Sequence, residues 1–482
     1  MGKLYIADHG YAVSGDDGSI DEEDGDYELT APSVSQWTDG AGLWPVPVFD
    51  KDSFVVLITD GTGSVVDGVY EIEAVTSEHL VLAGEPGEGS CTFRVERGLK
   101  VFDPSDDTLS LWHATEGLLP IGCPLIARYM DRIVLAGDPP NQWYMSRQGD
   151  PYDWDYGADM EDVGRAVSGA TTEAGRVARP ITALMPHGDD FMFFGCATEL
   201  WLMRGDPVYG GRLDNVSRVV GPVGPNAWCW GPQGELYFLS RDGIYGVTPD
   251  ARPQSMSRER LPRELQDLDQ SRDLVNIEYD AQDRGVHIFV VRWTDIDAPE
   301  GMLPTRSHFF FDTQVGSYWP VELWATVPDN NDPHNHSPYV TCRYVAEGAE
   351  DSAVLLGGID GRIRRFDRLA ETDCGKSIHS YVVYGPIPFS EDVVFDGMIH
   401  ELRAALGESS GPVNWSLRVA ETAEAALDAP DVEMGTITAG KNLTARPNRR
   451  GRGYVVVLAG ATDRRWVVEN ITAVESRIAR QR

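Results

Sequence analysis

Short apolar strands separated by tight polar turns recur along the middle of this chain of 482 residues. Residues 128–156 contain the clearest example, in which two apolar runs are joined by the turn Gly137-Asp138-Pro139-Pro140. The same order of strand, turn and strand returns in residues 191–207, 235–247 and 353–367. Because strands with this chemistry pair locally, the pattern predicts a series of antiparallel hairpins.

The spacing of these hairpins predicts a repeating architecture. Apolar hairpins start near Arg132, Phe191, Glu235, Gly285 and Ala353, in steps of 59, 44, 50 and 68 residues. Such steps suit blades of four short strands with loops of variable length, and five to seven blades fit between residues 99 and 370. The sequence therefore predicts an all-β protein with a β-propeller core.

Changes of pattern along the chain predict four regions. Residues 1–43 are polar and acidic and are expected to form an acidic N-terminal arm, and residues 44–98 a small β-barrel-like domain. Residues 99–372 are assigned to the propeller-like domain, and residues 373–482 to a C-terminal β-sandwich-like module. Residues 256–273 are the single stretch with a helical pattern, and Pro262 limits that helix to a short one.

The residues singled out by the hairpin pattern are interpreted as packing and turn residues. Trp143 and Trp154 are expected to pack within a blade, because repeated aromatic residues are a packing feature of such folds. Together with nearby tyrosines they could alternatively form a platform for sugars. The full set of structural residues is Arg132, Trp143, Ser146, Arg147, Gly149, Asp150, Trp154, Gly205, Asp206, Asp242, Gly243, Asp360 and Gly361.

Charge is the second strong feature of the sequence. The formal net charge is −35 at pH 7, and the sequence pI is about 4.5. So negative a surface repels free nucleic acid. Two interpretations stay open: a surface adapted to salt, or a negative face past which something must slide. Arginines concentrate near the C-terminus, where they form either a docking patch for an acidic neighbour or a solvated face.

No catalytic, cofactor-binding or metal-binding residues are predicted. The chain has no nucleotide-binding glycine motif, no GxSxG and no HExxH. His334 and His336 near Asp329 and Asp332 lack the geometry of a known metal motif, and residues 16–26 lack the ligand order of a calcium loop. Carboxylate pairs suited to glycoside hydrolysis arise by chance among 76 acidic residues.

Cysteine usage and hydropathy complete the expectations from composition. Cys196 and Cys229 lie in apolar runs and are expected to be small buried hydrophobic residues. No window of about 18 apolar residues and no signal-peptide pattern occurs. The sequence therefore predicts a soluble protein that is made in the cytoplasm and has no membrane anchor.

Four segments, taken in order, resemble a known family. They are LIARYMDRIVLAG with WYMSRQGDPYDWDYG (125–157), ITALMPHGDDFMFFGCATELWLMRGDP (181–207), VGPVGPNAWCWGPQGELYFLSRDGIYGV (220–247) and LLGGIDGRIRRFD (355–367). The closing segment RGRGYVVVLAGATDRRWVVENITAV (450–474) also fits the terminal β-module of that family. This ordered set is similar to the β-propeller tail proteins of short-tailed bacteriophages, which are called nozzle or tail tubular proteins. The likeness covers most of residues 99–474.

The resemblance implies a structural role in the phage virion. Members of that family form a ring of six copies below the portal and adaptor proteins, and the genome leaves through the channel. Expected partners are further copies of this chain, the portal-adaptor proteins, tail fibres or tailspikes, and double-stranded DNA that passes without sequence-specific binding. The resemblance implies no catalytic residues and no cofactor. The protein is expected in the virion tail after synthesis in the host cytoplasm.

Two other functions remain open at this stage. The first is a propeller-based tail component that binds glycans or a receptor through loops around Trp154 or His334. The second is a hydrolase that degrades host polysaccharide. A ring with an axial channel favours the genome conduit, whereas a monomer or trimer retarded by cell-surface glycan favours the glycan-binding component or the hydrolase.

Overall fold

A computed structural model describes most of the chain: residues 3–7, 13–34, 53–76, 78–157, 161–248, 252–257, 261–266, 268–269, 273–292, 307–321, 323, 338–348, 352–358, 361–367, 370–373, 376–378, 380–389, 395–440, 442–462 and 464–479. The chain is divided into two compact units. The first comprises Met1–Glu300, Thr305–Pro320 and Val340–Arg343, and the second comprises Gly301–Pro304, Val321–Tyr339 and Tyr344–Arg482.

Strands supply nearly all of the regular structure, which confirms the all-β fold class. Helix is confined, in the described residues, to α1 (Arg263–Gln266) and a 3₁₀ turn (Glu424–Ala426). Pro262 directly precedes α1, where its missing N–H leaves no helical hydrogen bond unmade. The helical stretch expected in residues 256–273 is therefore a single turn.

Six strands near the N-terminus close into a barrel, in the order β2-β3-β6-β5-β4-β7. A preceding strand, β1 (Leu4–Ile6), belongs to another sheet. The barrel strands are β2 (Val13–Glu23), β3 (Asp26–Thr30), β4 (Phe54–Thr59), β5 (Gly68–Val75), β6 (Leu80–Leu82) and β7 (Gly89–Arg97). Their inward side chains, among them Ile20, Leu29, Val56, Ile58 and Phe93, form one buried cluster.

The barrel takes in part of the region that was expected to be an acidic arm. Residues 13–30 supply β2 and β3, so the barrel begins well before residue 44. The sequence pattern does not indicate this strand pair, because carboxylates dominate the run and its fully buried apolar side chains are Ile20 and Leu29. Asp24 and Gly25 form the two-residue turn between the strands, with φ of 56° and 95°.

Four four-stranded sheets follow one another along the first unit, each built from strands in chain order. Sheet 1 has β11 (Leu125–Tyr129), β12 (Arg132–Ala136), β13 (Trp143–Met145) and β15 (Val167–Ser168). Sheet 2 has β16 (Ile181–His187), β17 (Phe191–Cys196), β18 (Leu200–Arg204) and β19 (Arg212–Ser217). Sheet 3 has β20 (Trp228–Trp230), β21 (Leu236–Ser240), β22 (Gly243–Val247) and β23 (Gln254–Ser255). Sheet 4 has β24 (Asp273–Asp280), β25 (Gly285–Arg292), β26 (Ser307–Asp312) and β27 (Ser317–Val321).

Shorter pairings precede these sheets. The strands β8 (Lys100–Asp103) and β9 (Thr108–Leu111) form a three-stranded sheet with β1, in the order β1-β8-β9. A parallel pair joins β10 (Glu116–Gly117) to β14 (Asp153–Trp154). Tyr5 in β1 packs against the buried cluster that contains Leu135 of sheet 1, so the beginning of the chain lies against that sheet.

Consecutive sheets pack face to face. On β17, Met192 and Phe194 share a buried cluster with sheet 1, whereas Phe191 and Phe193 share another with sheet 3. Because successive side chains of a strand point to opposite faces, a sheet covered on both sides needs an unbroken apolar run. All six residues of β17 are accordingly buried.

The first strands of neighbouring sheets also lie against each other. β11 contacts β16, and β20 contacts β24. The backbone N–H of Ile277 in β24 donates a hydrogen bond to the carbonyl of Asn226 at 3.0 Å, and Asn226 and Asn276 form an isolated parallel bridge. Sheets 1 and 2, and likewise sheets 3 and 4, therefore meet along their first strands as well as through their faces.

The second unit contains two antiparallel sheets around one core. Its early strands are β29 (Ala353–Gly358), β30 (Ile363–Arg365), β31 (Thr372–Asp373) and β32 (Lys376–Ser377), after β28 (Pro338–Tyr344) at the boundary between the units. The later strands are β33 (Tyr381–Pro388), β34 (Phe395–Leu406), β35 (Val413–Ala420), β36 (Asp431–Ile437), β37 (Asn442–Ala445), β38 (Arg449–Gly451), β39 (Gly453–Gly460) and β40 (Val468–Ala479).

These later strands, β33 to β40, are called the C-terminal module below. One sheet has the order β33-β39-β35-β36, and in the other β34 pairs with β37 and β38 on one edge and with β40 on the other. Ile399 and Leu402 from one sheet and Trp415, Leu417 and Val456 from the other share a buried cluster. No helix among the described residues has the length and hydropathy needed to cross a membrane.

Candidate functional site

Arg132, at the start of β12, is buried and forms the centre of the most extensive polar network among the predicted residues. Its guanidinium donates to the carbonyls of Ser146 at 2.9 Å and Arg165 at 2.6 Å, and its Nε donates to Oδ2 of Asp206 at 3.2 Å. Burial lowers the pKa of the Arg132 guanidinium, and the Asp206 carboxylate opposes that shift. A buried charge with this many acceptors is a structural clamp.

The clamp joins two neighbouring sheets. Arg132 belongs to sheet 1, whereas Gly205 and Asp206 directly follow the third strand of sheet 2. The hydroxyl of Tyr129 donates to the carbonyl of Gly205 at 3.2 Å, and Asp206 Oδ1 also accepts from the N–H of Val208 at 2.8 Å. The positive φ of Gly205, 74°, allows the tight turn that presents this carboxylate to Arg132.

The loop after β13 is tied to the same end of sheet 1. Ser146 Oγ accepts from the N–H of Ile133 at 3.1 Å. Arg147 pairs with Asp162 at 2.6 Å and with Asp153 at 3.6 Å. Gly149 has a φ of 75° and donates its N–H to the carbonyl of Asp131 at 2.8 Å.

Asp150 serves the loop itself. Its Oδ1 accepts from the N–H of Tyr152 at 2.9 Å. One loop is thus ordered by Ser146, Arg147, Gly149 and Asp150, whose polar groups bind other residues of the chain.

Trp143 and Trp154 are both fully buried, on opposite sides of sheet 1. The Trp143 ring lies 5.9 Å from that of Phe194 in sheet 2, and the Trp154 ring lies 5.7 Å from that of Trp112. The indole N–H of Trp154 donates to the carbonyl of Pro151 at 2.9 Å. The structure therefore places both indoles in the core, where a sugar in solution cannot reach them.

The remaining predicted residues are local turns. Asp242 Oδ2 accepts from the hydroxyl of Tyr245 at 2.7 Å, and Gly243 starts β22 with a φ of 134°. Gly361, with a φ of 72°, donates its N–H to Gly358 at 3.1 Å. Asp360 lies outside the described residues. Among the predicted residues that the structure describes, the long-range network joins Arg132 and Ser146 to Gly205 and Asp206.

Sequence reasoning missed a second ionic link, which joins the barrel to sheet 1. Arg94 in β7 pairs with Asp138 at 2.6 Å and with Glu96 at 2.9 Å. Phe93 and Val95 of the same strand point into the barrel core, so alternation could have placed Arg94 and Glu96 together on the outer face. Nothing in the sequence pattern indicated Asp138, 44 residues further on, as the partner.

Five cysteines lie in the described part of the chain, at positions 91, 123, 196, 229 and 342, and all five are free thiols. Cys196 and Cys229 are buried, as predicted for small hydrophobic residues. Burial raises the pKa of Cys123 and of Cys196 to about 12. At neutral pH these two thiols are therefore protonated and poor nucleophiles.

The described residues contain no group of three or more His, Cys, Asp or Glu placed to hold a metal ion. His334, His336, Asp329 and Asp332 lie outside the described residues. The acidic run 16–26 forms strand and hairpin in place of a calcium loop. Within it, Asp17 accepts two hydrogen bonds from Ser33 at 2.7 Å each, and the hydroxyl bond is the main cause that lowers the pKa of Asp17.

Comparison with known proteins gives weak likenesses. No protein-family profile matches this chain, and no curated protein matches it. The extracellular domain of a protein described as a one-component system from B. thetaiotaomicron is 9% identical, with 76% of this chain and 46% of that chain covered and a TM-score of 0.32. This chain thus spans under half of that protein's length.

Two further solved structures are similar at lower scores. PorZ, a surface component of the type-IX secretion system of Porphyromonas gingivalis, is 10% identical, with 99% and 58% of the two chains covered and a TM-score of 0.22. A GH32 β-fructofuranosidase from Bombyx mori is 10% identical, with 88% and 92% covered and a TM-score of 0.21. Likenesses this weak assign neither a fold family nor a function.

Proposed function

We propose that this chain is a structural protein of a phage tail, which assembles into a ring around a channel for the genome. The observation that carries the proposal is the series of four four-stranded sheets, stacked face to face in chain order. Sheets that also meet along their first strands have the arrangement expected of propeller blades around an axis. A β-propeller core, flanked by the barrel and a β-sandwich-like C-terminal module, is therefore part of the proposal.

The polar clamps support a scaffold role. Arg132 with Asp206 joins sheets 1 and 2, and Arg94 with Asp138 joins the barrel to sheet 1. Buried charges at functional sites commonly have shifted pKa values that suit proton transfer or nucleophilic attack. Here the guanidinium of Arg132 is surrounded by acceptors from the protein itself, so the network serves to hold the sheets together.

The distribution of charge supports a conduit for DNA. Residues 1–343 carry 56 Asp and Glu against 24 Lys and Arg. A channel lined by carboxylates repels phosphates at short range, so DNA passes without the lysine and arginine contacts that would hold it. The expected partners are other copies of this chain, portal-adaptor proteins above the ring and tail fibres or tailspikes beside it, with the protein located in the virion tail.

The purified protein tests this proposal directly. Negative-stain microscopy and native mass spectrometry, both at low and at high salt, are expected to give rings with a central hole and a mass near six chains. Salt matters because like charges on the copies repel each other and ions screen that repulsion. A homogeneous monomer in both salts, together with retention on a host-glycan column, would contradict the conduit and favour a glycan-binding tail component.

A further inference from the structure

Two exposed arginines distinguish the loop between β39 and β40. Arg464 and Arg465 are exposed, and neither forms an ion pair in the part of the chain that the structure describes. Other arginines of the C-terminal module have carboxylate partners: Arg403 and Arg446 pair with Glu401, Arg450 and Arg452 with Asp396, and Arg418 with Asp431. Arg464 and Arg465 thus differ from these arginines in being exposed without a carboxylate partner among the described residues.

The loop that carries them is held in place. The N–H of Gly411 donates to the carbonyl of Arg465 at 2.7 Å, and the N–H of Val467 donates to Ser410 Oγ at 2.9 Å. The indole N–H of Trp466 donates to Ser380 Oγ at 2.6 Å. Fixing the backbone before binding reduces the entropy that a partner would have to overcome.

Apolar side chains lie next to these arginines. Val467 is 54% exposed, and Tyr381, which follows the Ser380 that holds Trp466, is also 54% exposed. Tyr381 begins β33, an edge strand with no charged residue, YVVYGPIP. Edges of natural sheets are usually protected by charge, so an exposed, uncharged edge indicates a surface for another chain. Tyr381, Arg464, Arg465 and Val467 are called the Arg464 patch below.

The opposite chemistry lies on the barrel. The hairpin of β2 and β3 ends in Glu22, Glu23, Asp24 and Asp26, and Glu88 reaches it through a hydrogen bond from the N–H of Glu22 at 3.4 Å. These residues are exposed and form no ion pair among the described residues. Because Leu82 pairs with Tyr27, Glu85 follows close behind at the same end of the barrel. Glu22, Glu23, Asp24, Asp26, Glu85 and Glu88 are called the acidic tip.

We infer that the Arg464 patch of one copy docks on the acidic tip of a second copy. The chemistry selects this occupant, because two exposed guanidiniums beside exposed Tyr and Val side chains match a surface of exposed carboxylates. Arginine and tyrosine are also enriched at the centres of protein interfaces. The contact joins two different surfaces of the same chain, so it is heterologous and each copy can bind a neighbour on either side.

This inference rests on the self-association proposed above and names the surfaces that produce it. A heterologous contact closes into a ring when the rotation between neighbours divides a full turn. It also explains how copies with a net charge of −35 each can associate, since local complementarity outweighs repulsion between distant, screened charges.

Exchange of charge between the two surfaces provides the test. One full-length variant carries Arg464→Glu with Arg465→Glu, and the other carries Glu23→Arg with Glu85→Arg. Sedimentation velocity at about 0.15 M ionic strength measures self-association of each variant alone and of an equimolar mixture. Each variant alone is expected to associate about 100-fold more weakly than the wild type, because like charges then face each other. The mixture is expected to regain association, since each variant restores attraction to the other.

Matched controls separate this contact from the effect of net charge. Arg128→Glu with Arg212→Glu makes the same change of charge at two exposed arginines that pair within the chain, and self-association should stay within about twofold of the wild type. Arg464→Gln with Arg465→Gln serves as a second variant if the reversed pair alters the melting temperature.

The outcomes distinguish the two proposals. A wild type that forms rings, together with an unchanged Arg464→Glu/Arg465→Glu variant, would overturn the docking inference and leave the ring intact. Loss of association in both variants without recovery in the mixture would overturn the pairing of these two surfaces. A wild type that is monomeric throughout would overturn both proposals.

Discussion

The stacked sheets of the first unit and the C-terminal module are both antiparallel, yet they bury their strands differently. In sheets 2 and 3, β17 and β21 are buried at every position, because each sheet has a neighbour on both faces. In the C-terminal module, β35 buries Val413, Trp415 and Leu417 and leaves Asn414 exposed. The difference shows that the number of covered faces, more than the strand itself, decides which residues a strand needs.

Charge separates the same two parts of the molecule. Residues 1–343 have 24 Lys and Arg against 56 Asp and Glu, whereas residues 344–482 have 17 against 20. The C-terminal part is thus almost balanced, and nearly all of the net charge lies in the earlier part. A strongly acidic region and an arginine-bearing region within one chain provide complementary surfaces when two copies meet.

The largest expected effect comes from opening a cavity between stacked sheets. Phe193→Ala should lower the free energy of unfolding of the first unit by about 3–5 kcal/mol, because this ring is fully buried between sheets 2 and 3. Calorimetry would measure the change. Val383→Ala, at a side chain 40% exposed on β33 of the C-terminal module, should cost less than about 0.5 kcal/mol. Equal losses would contradict the difference in burial.

Breaking the buried clamp is the next largest change. Arg132→Ala should cost about 3–5 kcal/mol, since it leaves the Asp206 carboxylate and several carbonyls without their donor. Denaturant unfolding of Arg132→Ala, Asp206→Asn and the double variant would give the coupling energy between the two residues. Arg212→Ala, which removes an exposed pair with Asp214, is the control and should change stability by less than about 0.5 kcal/mol. Additive single effects would rule out a clamp.

The ion pairs of Asp396 in the C-terminal module are more exposed to solvent than the Arg132 clamp and provide a direct comparison with it. Asp396 is 8% exposed and pairs with Arg450 at 3.0 Å and Arg452 at 3.4 Å. The arginine side chains are 49% and 28% exposed, so water can still solvate them if the carboxylate is lost. Asp396→Asn should therefore cost about 1–2 kcal/mol, less than Arg132→Ala. A cost as large as that of the clamp would show that solvent access does not decide the difference.

The smallest effect is expected from acid. The pKa of Asp431 lies below the ordinary 3.8, chiefly because Arg418 donates a hydrogen bond to its carboxylate. The pKa of Asp162 is also below 3.8, chiefly because its carboxylate accepts a hydrogen bond from the N–H of Gly164. A depressed pKa in the folded state adds stability above pH 3.8, and this stability is lost as the pH falls through the lower folded value. The melting temperature should thus drop between about pH 4 and pH 2. Asp431→Asn should reduce that drop, because the variant has no carboxylate to protonate at this position.

Strand positions in the stacked sheets could be predicted closely from the sequence. Hairpins expected near Arg132, Phe191 and Gly285 begin with β12, β17 and β25 at those residues, and the one expected near Glu235 begins one residue later. The hairpin expected near Ala353 begins there with β29, which belongs to a three-stranded sheet outside the stack. These predictions succeeded because burial on both faces leaves unbroken apolar runs between Gly, Asp and Pro turns. The turns at Gly149, Gly205 and Gly361 were equally visible, since each needs a positive φ that glycine adopts without strain.

The partners of the polar residues were beyond the reach of the sequence. Arg132 and Asp206 lie 74 residues apart, and Arg94 and Asp138 lie 44 apart. An arginine in an apolar run indicates that a partner must exist, but any of the many carboxylates could supply it. Residues 13–30 form barrel strands in place of the predicted arm for a related reason: carboxylates dominate the run, and the few apolar side chains that line the barrel do not stand out in it.

By itself the sequence determined the all-β class, the starts of the stacked strands and the strongly acidic surface, because these follow from local alternation, turn chemistry and composition. Only the tertiary structure decided that residues 13–30 complete a barrel and that Arg132 of sheet 1 forms an ion pair with Asp206 of sheet 2. It also decided that Arg464 and Arg465 form no ion pair with a described residue, while other arginines of the module do. The physical reason is that strand pairs and ion pairs form between residues that are close in space. Which residues are close in space depends on how the sheets close and stack.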